Sequence, residues 1–158
     1  MTAISSYART MFALGVAYAL SASAFFFYPD EVFYLINVMP NVFKLAEAIP
    51  NPVERFWLVM ASGLLGTLAV VSFFAARSPD IKGYGRLHIL SKLISSAGFI
   101  YMFFHDKAYF AYLLGVAIDV LIALLISWKL IVMGHEAGRT SAVDPLSLPK
   151  EADFDVHS

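Results

Sequence analysis

Residues 108–133 read AYFAYLLGVAIDVLIALLISWKLIVM and carry a single acidic side chain, Asp119. A helix needs about 20 mostly apolar residues to cross a bilayer core roughly 30 Å thick. Asp119 lies nine residues before Trp128 and therefore near the middle of such a helix. The run predicts a transmembrane helix over residues 108–130, with Gly134 as a helix stop.

Three further apolar segments have the length of a transmembrane helix. Residues 10–28 contain no charged side chain, and residues 56–76 are also uncharged. Residues 87–104 are the most polar of the three because they include His88 and Lys92. The four segments predict an all-α integral membrane protein, a bundle of four transmembrane helices.

The composition agrees with a membrane environment. Of the 158 residues, 59% are hydrophobic and 15% are charged, with a mean hydropathy of +0.71, whereas soluble domains contain roughly 25% charged residues. A formal net charge of -1 offers no basic surface for nucleic acid, so we expect none as a partner. The chain has no cysteine, which excludes disulfides and thiolate metal sites. The partner that the composition predicts is the lipid bilayer.

The distribution of lysine and arginine predicts the orientation of the four spans. Eight basic residues fall on the side of the two termini and three on the other side. The eight are Arg9, Arg77, Lys82, Arg86, Lys92, Lys129, Arg139 and Lys150, and the three are Lys44, Arg55 and Lys107. Both termini are therefore predicted to be cytoplasmic, in a bacterial inner (plasma) membrane.

The first span has an alternative interpretation as a cleaved signal peptide. Arg9, the apolar residues after it and the small residues at positions 22–24 resemble a positively charged region, an apolar region and an A-x-A cleavage site. Against cleavage, residues 25–28 are three phenylalanines and a tyrosine, which extend the apolar run to spanning length. The other three spans keep the same orientation in both cases.

Two segments outside the spans have distinct compositions. Residues 29–55 mix charged and apolar positions and predict an extracytoplasmic interfacial segment of one or two short amphipathic helices, with Asn41 as the cap of a second helix. This segment is either a lid at the lipid interface or a surface for an outside partner. Residues 134–158 carry five acids against two bases and predict a disordered cytoplasmic tail after the four-helix domain of residues 1–133.

Ionisable side chains within a membrane span are costly, about 2.5 to 3.5 kcal/mol each for a central Asp or Lys, and so indicate a site. Asp119 belongs to a stripe of small or polar residues on one helix face, and Lys92 shares a polar face of the third span with His88, Ser91 and Ser95. In an antiparallel hairpin Lys92 and Asp119 reach the same depth, so we expect them to meet. The contact is either structural or a ligand or proton site. Alternatively, Lys92 points to the lipid headgroups and Asp119 is protonated.

Small residues spaced by four predict where helices pack closely. The second span contains Gly63 and Gly66 in this pattern with Ser62 and Thr67, and the fourth contains Gly115. We expect these glycines to mark helix packing within the bundle, with self-association through the second span as the alternative.

The chain offers no predicted catalytic residue, cofactor site or metal site. Haem needs two axial ligands at one depth, and the four histidines are predicted to lie at different depths or outside the bilayer. Arg77, Lys82 and Arg86 form a basic turn that sets the topology or holds an anionic lipid headgroup.

Three functions are compatible with these features. The first is a non-enzymatic subunit or accessory protein that packs through its small-residue faces against a membrane protein partner or another copy of itself. The second is a transporter or binder of a small hydrophobic or cationic ligand, with Asp119 as the protonatable group and Lys92 as its competitor. The third is a membrane enzyme that acts on a lipid or quinone.

Overall fold

The structure is a computed structural model that describes residues 2–43, 46–50, 56–105 and 107–143. Its five helices are α1 (Ala3–Phe27), α2 (Pro29–Phe43), α3 (Phe56–Arg77), α4 (Lys82–His105) and α5 (Phe110–Val143). Between the helices, the described residues contain one isolated bridge, from Glu47 to Tyr109, and no strand. The described chain is therefore all-α, as predicted.

Four helices have the length and apolar character needed to cross a membrane: α1, α3, α4 and the Phe110–Glu136 part of α5. In the most apolar 18-residue stretch of each of these helices, only 17% to 22% of the residues are buried. Most apolar side chains therefore point out of the bundle, and Leu20, Leu64 and Leu121 are each about two-thirds exposed. So many exposed large apolar side chains are unusual for a soluble monomer. The prediction of four membrane-length helices is confirmed.

α1 and α4 begin earlier than the predicted spans. α1 starts at Ala3 because Thr2 caps its first turn, with Ser5 N donating to Thr2 Oγ1 at 3.4 Å. α4 starts at Lys82 rather than at residue 87. Hydropathy shows where an apolar segment ends at a charged residue. Because lysine and arginine are good helix formers, the helices continue past these apolar segments.

α5 differs most from the prediction. It continues through Gly134 to Val143, so Gly134 does not end the helix and residues 134–143 are helical where a disordered tail was expected. A glycine within a helix costs only about 1 kcal/mol relative to alanine, and it ends a helix when the next residues favour another conformation. Residues 144–158 of the predicted tail lie outside the described residues.

The helices form a ring of antiparallel neighbours. α1 packs mainly against α3, and α4 packs mainly against α5, while smaller contacts join α1 to α5 and α3 to α4. Ala3 N donates to Glu136 Oε2 at 2.8 Å and Lys129 Nζ donates to Ser6 Oγ at 2.7 Å, which brings the start of α1 beside the end of α5. We call this end of the bundle, which also carries the turn at 78–81, the terminal end, and the opposite end the α2 end.

α2 and residues 46–50, the described part of the connection from α1 to α3, lie at the α2 end of the bundle. α2 is one helix that includes Pro40 and Asn41, so no second helix begins at Asn41. The Asn37 side chain holds the following segment through two bonds to the main chain of Ile49, from Nδ2 to the carbonyl at 2.8 Å and from Ile49 N to Oδ1 at 2.9 Å. Glu47 pairs with the turn before α5, accepting from Phe110 N at 3.0 Å and donating to Ala108 O at 3.2 Å.

The apolar core lies toward the terminal end. It is a cluster of buried residues from α1, α3 and α5, namely Ala3, Tyr7, Met11, Ala75, Ile126 and Met133. Gly85 of α4 completes this packing, because a Cβ at that position would lie 2.7 Å from Tyr7 Oη and 3.0 Å from Leu130. Above this core, toward the α2 end, the buried side chains become polar.

Candidate functional site

The centre of the candidate site is an ion pair between α4 and α5. Lys92 Nζ lies 2.8 Å from Asp119 Oδ1, and the two residues are 6% and 5% exposed. Lys92 is ten residues into α4 and Asp119 nine residues into α5, so both lie about 15 Å from the helix starts. The structure thus brings together the two side chains whose depth and face predicted their contact. Buried charges require this kind of pairing because neither is solvated.

Tyr18 of α1 forms the third side of the site. Its ring lies under the Lys92 ammonium, with Nζ 4.9 Å from the ring centroid, which is within the range of a cation–π contact. The other contact of the ring is with His88, at 5.6 Å between centroids and an interplanar angle of 19°. Tyr18 is 6% exposed and is therefore enclosed by the bundle. The Lys92 ammonium is held between a carboxylate and an aromatic face.

His88 connects the site to α3. Its Nε2 lies 2.7 Å from Ser72 Oγ, and Ser72 Oγ also donates to Leu68 O at 2.8 Å. The tautomer of His88 that carries its hydrogen on Nε2 satisfies both bonds, since the single hydroxyl hydrogen of Ser72 is then left for Leu68 O. Nδ1 of His88 is then an acceptor, and no hydrogen-bond donor reaches it among the described residues.

Two more buried polar atoms beside the ion pair have no hydrogen-bond partner within the described ranges: Tyr18 Oη and Ser96 Oγ. Ser96 lies one helical turn after Lys92 on the same buried face of α4. A buried polar group without a partner costs about 1 to 3 kcal/mol. The site therefore combines a satisfied ion pair with three groups that can still form hydrogen bonds.

The other residues predicted for this face of α4 are less deeply buried. Ser91 and Ser95 are half-buried, whereas His88, Lys92 and Ser96 are buried. The inward face of α4 is thus displaced from Ser91 and Ser95 toward Ser96. We call Tyr18, Ser72, His88, Lys92 and Asp119 the buried polar site.

Sequence reasoning missed Tyr18 and Ser72. Tyr18 continues a helical spacing of buried α1 residues, Tyr7, Met11 and Gly15, so its inward direction could have been read from that period. Ser72 carries no comparable signal, because its role depends on α3 lying next to α4.

The predicted packing glycines fall into two groups. A Cβ on Gly115 would lie 2.6 Å from the Phe99 ring, so this glycine lets α4 and α5 approach closely. Gly63 and Gly66 have no neighbouring atom within 4 Å of the same position, so within one chain they do not mark a close helix contact. Gly15 of α1 does mark such a contact, because a Cβ at that position would lie 2.8 Å from the Phe73 ring.

Within the described residues, no group of three or more His, Cys, Asp or Glu side chains is close enough to hold a metal ion. The buried polar site has one acid and one histidine, and each already has a partner. Its chemistry is that of charge pairing, hydrogen bonding and proton exchange.

Over its described residues, the fold and the site together define a class: small helical proteins with four membrane-length helices around a buried ion pair. Comparisons with protein-family models, curated proteins and solved structures give no match for the chain.

Proposed function

We propose that the protein is an integral membrane protein of four spans with both termini in the cytoplasm, in the inner (plasma) membrane of a bacterium. The outward apolar surface supports insertion. Lys92 is buried in the ion pair and does not count toward the charge balance, but seven basic residues on the terminal side against three still favour this orientation. Exposed aromatic residues at the α2 end, Phe27, Tyr28, Phe56, Trp57 and Phe104, suit the opposite interface.

Retention of the first span is part of this proposal. Tyr7 and Met11 are fully buried in the core, and Tyr18 lies in the buried polar site. Cleavage after Ala24 would remove all three. The packing of α1 therefore favours a span that stays in the protein over a signal peptide.

Our proposed function is the binding or transport of a small lipophilic cation at the buried polar site. One observation supports this choice over the other two hypotheses: Asp119 and the Tyr18 ring together surround a single ammonium, that of Lys92. A carboxylate with an aromatic face is the arrangement that recognises organic cations. Lys92 is then a built-in competitor for the place of the ligand.

Charge balance determines the chemistry of such an exchange. In a low-dielectric interior one carboxylate compensates one cation, so the site cannot hold a ligand cation and a charged Lys92 together. A cation that reaches Asp119 must displace the Lys92 ammonium, which either leaves the site or gives up its proton. Where Lys92 stays buried, it releases one proton for each cation bound. The proton must leave the site, and His88 Nδ1 and Tyr18 Oη, which have no hydrogen-bond partner among the described residues, can relay it.

The test is binding of tetraphenylphosphonium to the purified full-length chain in a weakly buffered, uncharged detergent, with proton release followed by an indicator dye. We expect saturable binding with proton release for the wild type. Lys92→Met removes the competitor, so it should bind roughly tenfold more tightly, and any proton it releases comes from Asp119, which has lost its counter-ion. Asp119→Asn binds no cation.

Matched controls are Lys82→Met and Asp80→Asn, which remove an exposed base and an exposed acid from the same region of the chain. Both should bind as the wild type does. Circular dichroism and size-exclusion profiles establish that each variant is folded. Binding that survives in Asp119→Asn, or that is absent from both the wild type and Lys92→Met, would refute the function.

A second candidate function is supported by a separate observation. Gly63 and Gly66 lie on a small-residue face of α3, and a Cβ at either position would have no atom of the described chain within 4 Å. This face suits a helix of another protein or of a second copy, as the subunit hypothesis requires. Pull-down of the tagged protein from its native membranes in mild detergent tests it. A stoichiometric protein partner that is lost in Gly63→Leu and retained in Gly134→Leu would favour the subunit role.

A further inference from the structure

A groove runs between α1 and α3 at the terminal end, away from the buried polar site. It has a volume of about 700 Å³, and its lining residues are Ala8, Arg9, Phe12, Phe73, Ala76 and Arg77. The two arginines come from different helices and line the same groove because α1 and α3 are antiparallel neighbours. The remaining lining is apolar.

Two phenylalanine rings, one from each helix, form the floor of the groove. The Phe12 and Phe73 rings are 5.6 Å apart, and the Phe73 ring lies over Gly15, where a Cβ would be 2.8 Å away. Gly15 thus lets Phe73 lie low between the helices. Ala8 and Ala76 leave the space above the rings empty because their side chains are short.

The chemistry of the groove combines two cations with an apolar floor. Guanidinium groups carry several donors in a plane and bind phosphate oxygens in pairs. Arg77 is the last residue of α3, and Arg9 lies six residues after the start of α1, about 9 Å along the helix. Below them, the outward side chains of α1 are apolar, with Phe12 57% and Leu20 66% exposed. A ligand for this surface has an anionic phosphate head and a hydrocarbon chain.

We propose that this groove binds an anionic phospholipid, with its phosphate between Arg9 and Arg77 and its first acyl segment on Phe12 and Phe73. Charge complementarity selects the anionic lipid over a zwitterionic one. The position of the groove, where charged residues replace the apolar surface of the bundle, matches the depth at which a phospholipid carries its phosphate. The site is independent of the cation exchange proposed above, since the two share no residue.

The test is native mass spectrometry of the full-length protein released from an uncharged detergent in the presence of equal amounts of phosphatidylglycerol and phosphatidylcholine. We expect the wild type to retain phosphatidylglycerol at least fivefold over phosphatidylcholine. Arg77→Gln should remove this preference. Arg86→Gln, which neutralises an exposed base of the same end that does not line the groove, should keep it.

Ala76→Phe is the second variant, because it fills the groove and retains both arginines. It should reduce phosphatidylglycerol retention at least fivefold while the thermal transition shows a folded protein. Inorganic phosphate at 10 mM (about a hundredfold over protein) distinguishes the source of the anion and should not displace the lipid. The proposal is overturned by equal retention of both lipids, by an equal loss in Arg86→Gln, by full retention in folded Ala76→Phe, or by displacement with phosphate.

Discussion

The two main helix pairs of the bundle are held by different contacts. α1 and α3 meet through an aromatic ring on a glycine, Phe73 on Gly15, with a second ring, Phe12, beside it. α4 and α5 repeat this arrangement with Phe99 on Gly115 and add the Lys92–Asp119 ion pair. The contact described between α1 and α3 is one of shape, whereas that between α4 and α5 combines shape and charge.

For the membrane insertion proposed above, this difference reflects what stabilises helix pairs in lipid. Lipid tails are as apolar as leucine, so burying apolar side chains between helices provides little net driving force there, and close packing and polar contacts must provide it. A ring on a glycine fixes how closely two helices approach and how they are rotated. An ion pair also fixes their relative depth, because its atoms must lie within about 3 Å of each other. α4 and α5 are therefore expected to be the more strongly specified pair.

Removal of one charge should produce the largest effect. Asp119→Leu leaves Lys92 buried without a counter-ion, and breaking a buried pair on one side costs about 3 to 5 kcal/mol. The measurement is the free energy of unfolding in mixed micelles of a mild and a denaturing detergent.

The double variant Lys92→Met/Asp119→Leu is the control for that prediction. It removes both charges and restores an apolar contact, so its stability should return to within about 1 kcal/mol of the wild type. If the double variant were as unstable as the single one, the loss would come from the shape of the Asp119 side chain and not from its charge.

Glycine substitutions compare the two pairs directly. Gly15→Val and Gly115→Val each push a branched side chain against a phenylalanine ring, and we expect each to cost about 1 to 3 kcal/mol of unfolding free energy. Gly66→Val makes the same change of residue at a position where a Cβ would have no other atom of the described chain within 4 Å. It should therefore leave the unfolding free energy nearly unchanged. A Gly66→Val protein as unstable as the other two would show that the α3 face is packed against something in solution.

One of the polar contacts between the two pairs, from Ser72 to His88, should contribute less. Ser72→Ala removes the hydrogen-bond partner of His88 Nε2 and should lower the unfolding free energy by about 1 to 2 kcal/mol. Ser62→Ala is the matched variant on the same helix, because Ser62 Oγ is buried without a partner in the described residues and its removal should cost nothing. Equal losses in both would mean that the Ser72–His88 bond makes no separate contribution.

The smallest effect on the bundle is expected at the α2 end. Asn37→Ala removes two bonds to Ile49, so the segment before α3 should open more often and be cut by trypsin roughly fivefold to tenfold faster. Asn41→Ala, an exposed position of the same helix, should leave the cleavage rate unchanged. The unfolding free energy of the bundle should change little in either variant.

The fold was predictable from the sequence as far as hydropathy determines it. Four apolar segments gave four long helices, because about 20 apolar residues between charges have few other stable environments. The helix ends were not predictable in this way. α5 passes through Gly134 to Val143, and hydropathy records the loss of apolar character there but not whether the backbone stays helical.

The site was predictable where two residues shared both a helix face and a depth, as Lys92 and Asp119 do. Contacts that depend on which helices are neighbours were not predictable, and Ser72 with His88 is the clearest example. The same limit applies to the glycines. Small residues spaced by four identify a narrow face of a helix. Whether that face is packed depends on the neighbouring helix: Gly15 faces the Phe73 ring, whereas Gly66 faces no atom within 4 Å, and the sequence of one helix does not show this difference.

The Lys92–Asp119 pair also bears on the order of events during synthesis. The most apolar 18-residue window has a mean hydropathy of 1.4 in α4 and 2.4 in α5, and Lys92 leaves the ribosome 27 residues before Asp119. In the membrane insertion proposed above, entry of Lys92 into lipid costs about 2.5 to 3.5 kcal/mol until Asp119 is made, and the pair later offsets this cost. His105 and Phe110 are close in the chain, so α4 and α5 can enter as one hairpin. We therefore expect a nascent chain halted before residue 119 to hold α4 at the membrane surface until its partner helix emerges.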